Sequence, residues 1–172
     1  MEDAGAIAGE HVWLSPLAVS DAEEMTAVLS GGELYAFTGG QPPTLDELRD
    51  RYARQVAGWP ADGSQEWRNW IIRRNEDGQA VGYVQATITD AGNRAEVAWV
   101  VGLAWQGQGH ARDAARALVA WLDARGVTTV QAHIHPDNAA SAAVARSAGL
   151  QPTGQIEDGE QLWSTSRPCR SA

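Results

Sequence analysis

The spacing of apolar residues along this chain alternates between a period of two and one of nearly four, and each change marks an element. His11 to Leu17 reads as a first strand ended near Pro16, and Ser20-Asp21-Ala22-Glu23 supplies an N-cap and acidic first turn for a helix through Leu29. Gly31-Gly32 stops it. Thr44 caps a second helix, with Leu45, Leu48, Tyr52 and Val56 at helical spacing up to about Trp59. From Gln65 the period is two: Trp67–Arg74, a turn at Asn75–Gly78, and Ala80–Ile88 form a hairpin. The turn Asp90–Asn93 leads into a third antiparallel strand, Ala95–Val101, which breaks at Gly102. After Gln106-Gly107-Gln108-Gly109 a helix runs from Arg112 to Arg125, with Ala115, Leu118, Val119 and Leu122 on one face and Gly126 at C′. Thr128–Ile134 is the next strand, Ala139–Ser147 a short helix opened by His135-Pro136-Asp137-Asn138, and Pro152–Glu157 with Glu160–Ser164 a closing hairpin around Asp158-Gly159.

The 172 residues suit one domain, residues 1–172, with 1–10 and 167–172 expected as loose tails. A net charge of −9 argues against general affinity for nucleic acid and favours a cationic small molecule or peptide amine as partner. No apolar run is long enough to cross a membrane and Met1-Glu2-Asp3-Ala4 lacks a basic start, so a soluble, cytoplasmic protein with no membrane partner is expected, as a monomer or homodimer. Cys169, alone in a polar stretch, reads as a passive thiol. Eight tryptophans are spread over the chain, most as core and one or two as walls of a pocket.

The chemistry centres on the glycine turn. Two glycines let backbone N–H groups approach a ligand, and the following helix start adds unpaired donors and the positive end of its dipole, so a phosphate or pyrophosphate is the expected occupant. A P-loop would need Gly-Lys-Ser/Thr, which is missing here, and a dinucleotide fingerprint would need glycine where Arg112 stands, after a parallel unit rather than an antiparallel meander.

The order of elements, with Gln106-Gly107-Gln108-Gly109-His110-Ala111, then Asn138-Ala139-Ala140-Ser141 and Arg146-Ser147-Ala148-Gly149-Leu150, resembles the GNAT superfamily of N-acetyltransferases from about His11 to Ser166. The segments Glu96-Val97-Ala98-Trp99-Val100 and Trp105-Gln106-Gly107-Gln108-Gly109-His110-Ala111 are most similar to the Rim-type branch of ribosomal-protein N-terminal acetyltransferases. Leu150 replaces the usual Phe, Gln108 a frequent basic residue, and no tyrosine accompanies the Asn138 helix. The resemblance implies an α+β fold, a mixed, mostly antiparallel twisted sheet of about seven strands with about four helices, splayed at a cleft for acetyl-CoA.

In that reading Gly102 carries a bulge that opens the strands, and the main chain of Val101 and Leu103 pairs with the pantetheine arm. Gln106, Gly107, Gln108, Gly109, His110, Ala111 and Arg112 cradle the pyrophosphate, while Asn138 is both helix N-cap and partner of a pantetheine amide. The implied activity moves an acetyl group from acetyl-CoA to a primary amine, on a small molecule (antibiotic or metabolite) or a peptide or protein N-terminus. The alternative is a non-catalytic coenzyme-A-binding or interaction module of the same fold. Glu96 is the candidate base, acting through water and needing burial to raise its pKa, or else a strand-margin charge pairing with Arg94. Ser141 is the candidate donor to the thiolate, or a hydroxyl bonded back to its helix. Tyr35, Phe37, Trp99 and Glu160, with Glu33, Trp59 and Trp67, are the acceptor-site candidates. His133 and His135, two apart on a strand, lack a third ligand, so no metal is expected.

Overall fold

The computed structural model describes residues 5–37, 39–57 and 64–165. Trp59, Cys169 and the tail 167–172 lie outside the described residues. Among the described residues eight strands form one sheet: β1 (Ile7–Ala8), β2 (Val12–Pro16), β3 (Glu66–Arg74), β4 (Ala80–Thr89), β5 (Arg94–Val101), β6 (Thr129–Ile134), β7 (Leu150–Glu157) and β8 (Glu160–Thr165). Their spatial order is β1-β2-β3-β4-β5-β6-β8-β7. The helices are α1 (Ala22–Val28), α2 (Leu45–Ala57), α3 (His110–Ala124) and α4 (Ala139–Ser147). All neighbours are antiparallel except β5 and β6.

The eighth strand is β1, where a loose tail was expected. Ile7 and Ala8 pair with Leu14 and Trp13, and Ile7 is buried. A distant carboxylate stabilises this edge: Asp113, in the first turn of α3, accepts from the amides of Glu10, His11 and Val12 at 3.1, 2.7 and 2.9 Å. A two-residue strand carries too little local pattern to be read from sequence, and its stability comes from a residue about a hundred positions away.

Each face of the sheet buries its own core. On one face α3 contributes Ala114, Leu118 and Leu122, four residues apart and fully buried, against Trp70, Val84 and Val97 of the sheet. The other face takes Met25 of α1 and Leu48 and Tyr52 of α2 onto Ile71 and Ala80. Full burial of each of these leucines and of Met25 contributes about 1.5–3 kcal/mol, so helices that are marginal alone become stable on the sheet.

The register of β3 and β4 shifts between Ile72 and Arg73, leaving Val81 without a partner. Arg73, two residues after Ile71, faces the α1 side, where its guanidinium donates to Asp21 at 2.9 Å, Glu24 at 3.1 Å, the Ser15 hydroxyl at 3.1 Å and the Gly78 carbonyl at 3.0 Å. This cluster ties α1 to the β3–β4 turn. Because Arg73 is only 16% exposed, Arg73→Ala leaves two carboxylates without their cation and is expected to cost about 3 kcal/mol. A urea titration checks this: the midpoint should fall with the slope unchanged.

Candidate active site

β5 pairs with β4 along its whole length, from Arg94 to Val101, whereas its parallel pairing with β6 stops after Arg94–Thr129, Ala95–Val130 and Glu96–Gln131. On its other edge β6 pairs with β8, from Gln131–Ser164 to Ile134–Gln161, so beyond Gln131 it is held by β8 alone. The two parallel strands therefore diverge from a vertex at Glu96 and Gln131. No register shift occurs between β4 and β5, so the bulge expected at Gly102 is absent. Gly102 serves a different need: a Cβ there would lie 2.6 Å from the Val28 carbonyl, so glycine lets the end of α1 pack on the strand end.

Hydrogen-bond alternation decides which main-chain groups face the opening. The Gly102 amide donates to the Val81 carbonyl at 2.8 Å, which makes Val101–Gly82 a non-hydrogen-bonded pair. The N–H and C=O of Val101 and, two residues back, of Trp99 therefore point away from β4, into the splay. The Val101 carbonyl already accepts from the Gln106 side chain at 3.0 Å. Leu103 lies past the strand in a 3-10 turn, so Trp99 rather than Leu103 is the strand partner of Val101 along the opening. The Trp99 ring, expected at the acceptor site, packs against the α3 core instead, because positions 97, 99 and 101 face the opposite side from 96, 98 and 100.

At the wide end of the opening, Gly107 and Gly109 hold φ of +78° and +84°, and Gly109 caps α3 without any side-chain bond. The first helical bond runs from the Asp113 amide to the Gly109 carbonyl, which leaves the amides of His110, Ala111 and Arg112 without a helical partner. Ala111 packs against the core. Arg112 is exposed and has no ion pair among the described residues, whereas Asp113 is turned toward the β1–β2 edge. The His110 ring is buried, with Nε2 3.3 Å from the Gln108 side-chain oxygen and Nδ1 without a partner among the described residues. Burial, helped by the nearby Arg74 guanidinium, lowers its pKa below the usual histidine value, so the neutral ring forms a wall of the turn.

On the opposite arm, Asn138 caps α4 by accepting from the Ser141 amide at 3.1 Å. The Ser141 hydroxyl makes no hydrogen bond among the described residues, so the back-bonded alternative is not the one adopted. The segment after α1 bridges the mouth. A Cβ on Gly31 would collide with Leu103 at the end of β5, and Phe37 lies against His135 at the end of β6, with ring centroids 5.0 Å apart. Tyr35 anchors this segment through its hydroxyl, which donates to the Leu29 carbonyl at 3.1 Å. Glu33 is exposed in the same turn.

Glu96 stands at the vertex on the α1–α2 face, in register with Thr87 and, through it, with Trp67. Its side chain is 56% exposed, so the burial expected of a base is not supplied by this chain. Its partner is not Arg94 but His133: Glu96 Oε1 lies 2.7 Å from Nδ1, and Glu157 Oε2 lies 2.7 Å from Nε2 of the same ring. Sequence reading missed His133 and Glu157, although the His133/His135 spacing marked the strand. Glu160 lies beside them across the β7–β8 turn. A cavity of about 180 Å³ opens next to this row, lined by Gln55, Trp67, Asn69, Gln85 and Thr87. No group of three His, Cys, Asp or Glu side chains with metal-ligand geometry occurs among the described residues.

The profile of the family described as an acetyltransferase (GNAT) domain matches residues 11–151. Among solved structures, the GNAT-family acetyltransferase from Bacillus anthracis superposes with a TM-score of 0.76 at 16% identity, over 92% of this chain and 96% of that one. A putative ribosomal-protein-serine acetyltransferase from Vibrio cholerae gives 0.76 at 18% identity, over 95% and 98%. AAC(6′)-Ib in complex with paromomycin and acetyl-CoA gives 0.74 at 20%, over 92% and 94%. At these identities the likeness is one of fold. No curated protein matches the chain.

Proposed function

Because the chain belongs to the GNAT acetyltransferase family, we propose that it uses acetyl-CoA to acetylate a primary amine, and that the splay between β5 and β6 is where donor and acceptor meet. The observation that carries this reading is the continuity, along one edge, of main-chain groups turned away from β4. It runs from the Trp99 and Val101 main chain to the uncapped start of α3. An extended amide-bearing arm ending in a pyrophosphate needs that combination: strand-like pairing along its length and N–H groups with a helix dipole at its charged end. The residues thus fit coenzyme A, with Val101, Trp99 and Asn138 toward the pantetheine arm and Gly107 to Arg112 at the phosphates.

Bound acetyl-CoA supplies an activated acyl group with a thiolate leaving group. The chain's own residues do the rest. Glu96 accepts the proton that the acceptor ammonium must lose, through water, as its exposure suits. The Ser141 hydroxyl, free and near the start of α4, donates toward the departing sulfur. Main-chain N–H of β5 meets the carbonyl oxygen as it becomes anionic.

The acceptor enters on the α1–α2 face, past Phe37 and Tyr35 and toward Glu160. The cavity beside Glu96 presents amides, a hydroxyl and one indole, a lining suited to a small amine with hydrogen-bonding groups or to the first residues of a peptide. The Rim-type branch is favoured by the segments at Glu96 and Trp105. A cytoplasmic location fits both acceptor classes, and no helix among the described residues is long and apolar enough to cross a membrane.

A thermal-shift titration tests the donor site. At 100 times its Kd acetyl-CoA should stabilise the protein by about 2.7 kcal/mol, raising Tm by roughly 5–10 °C for a domain of this size. No shift at saturation removes the assignment. Thiol release with an amine panel then separates an enzyme from a coenzyme-A-binding module of the same fold, which shifts without turning over.

A further inference from the structure

An imidazole with an oxygen acceptor at 2.7 Å from each nitrogen is a constrained object. The neutral ring carries one N–H and would turn its other lone pair toward a carboxylate oxygen. Only the doubly protonated ring donates to both. With Glu96 and Glu157 ionised, the arrangement is therefore a cation held between two carboxylates, with net charge −1, and each hydrogen bond is charge-assisted. The three groups come from three strands: Glu96 from the vertex on β5, His133 from β6, and Glu157 from the edge strand β7. His133 is 24% exposed, while the two carboxylates are 56% and 54% exposed.

We propose that His133 is a positioning residue for acetyl transfer: held cationic by Glu157, it fixes Glu96 Oε1 and leaves Oε2 free at the vertex to take the proton of the acceptor amine. This rests on the reading of Glu96 as the base. In the proton-transfer step the N–H bond of the acceptor breaks and an O–H bond forms at Glu96. The cluster goes from −1 to neutral, and Glu96 returns the proton to water after the acetyl group has moved. The net negative charge also attracts the ammonium before the step and relaxes after it.

The charged groups facing His133 are few. β5 presents Glu96 and β7 presents Glu157; β8 places Leu162 opposite, with Glu160 two residues away on the same side; its own strand continues to His135, which lies 3.9 Å from Asp137. Partial burial of the ring disfavours its charge, but the hydrogen bonds to Glu157 and Glu96 outweigh this and raise its pKa above the ordinary histidine value. The sign of the pH effect follows. The ring is cationic below its own titration, so positioning is complete at low pH and is lost as pH rises through that titration. Removing Glu157 must move that loss to lower pH.

The experiment compares wild type, Glu157→Gln and His133→Gln. The pH profile of kcat is measured with acetyl-CoA and an accepted amine, and the His133 ring is titrated by nitrogen NMR. Glu157→Gln is expected to move the alkaline limb of kcat and the NMR midpoint together to lower pH. The KM for acetyl-CoA should stay unchanged. His133→Gln should lower kcat by ~10-fold or more and remove that limb. A merely structural His133 would change kcat equally at all pH values. Superimposable profiles for wild type and Glu157→Gln, or an NMR midpoint that does not move, overturn the proposal. The NMR titration needs no turnover, so a failure of the acetyltransferase reading shows as wild type inactive toward every amine, and a failure of the coupling shows as an unmoved midpoint.

Discussion

Glu96→Gln is expected to slow acetyl transfer by ~10²–10⁴-fold while acetyl-CoA still raises Tm as it does for wild type. The substitution keeps the shape and one oxygen for the His133 hydrogen bond, so the frame built at 2.7 Å can persist while the capacity to accept a proton is gone. Glu96 stands at the last residue pair where β5 and β6 are joined, on the face that also carries Thr87 and Trp67. In the proposed reading an acceptor lying over that face would bring its amine to the vertex. The check is a pair of measurements on one preparation, kcat with a saturating amine and a thermal shift with acetyl-CoA. Normal turnover would remove Glu96 from the mechanism, and lost stabilisation would mean that the variant damages the donor site instead.

The second large effect is expected at the glycine turn. Gly109→Val should weaken acetyl-CoA binding by at least ~10²-fold, measured by calorimetry, with a loss of stability in its absence of no more than about 1–3 kcal/mol. Gly109 sits at φ +84°, where a β-branched residue costs about 1–3 kcal/mol, and a Cβ there would meet nothing within 4 Å. The strain is therefore conformational, and it is relieved by turning the peptide away from the helix start. That turn misaims at least two N–H groups from the phosphates, and charge-assisted hydrogen bonds of about 1.5–3 kcal/mol each give the stated loss. Retained affinity would move the pyrophosphate away from this turn.

How much of this was legible differs from element to element. The α4 limits, Ala139 to Ser147, and the glycine at C′ of α3, Gly126, emerge as read, because caps and left-handed glycines are local signals. The start of α3 falls at His110, two residues before the sequence expectation, since no side chain marks a helix capped by glycine. Glu96 was visible as a carboxylate before a break in a strand. Its partner was not, because Arg94 is two residues away in sequence and His133 is thirty-seven.

The sequence by itself determined the succession of elements along the chain from β2 onward, the glycine turn before α3 and the Asn138 cap. All follow from short-range hydrogen bonding and apolar period, which act within a few residues. The tertiary structure alone decided that β5 and β6 part after Glu96, that Trp99 gives the cleft its main chain and the core its ring, and that Gly102 admits α1 instead of bulging the strand. It also placed His133 between Glu96 and Glu157. These depend on register between strands distant in sequence, where a shift of one residue would turn every side chain to the other face.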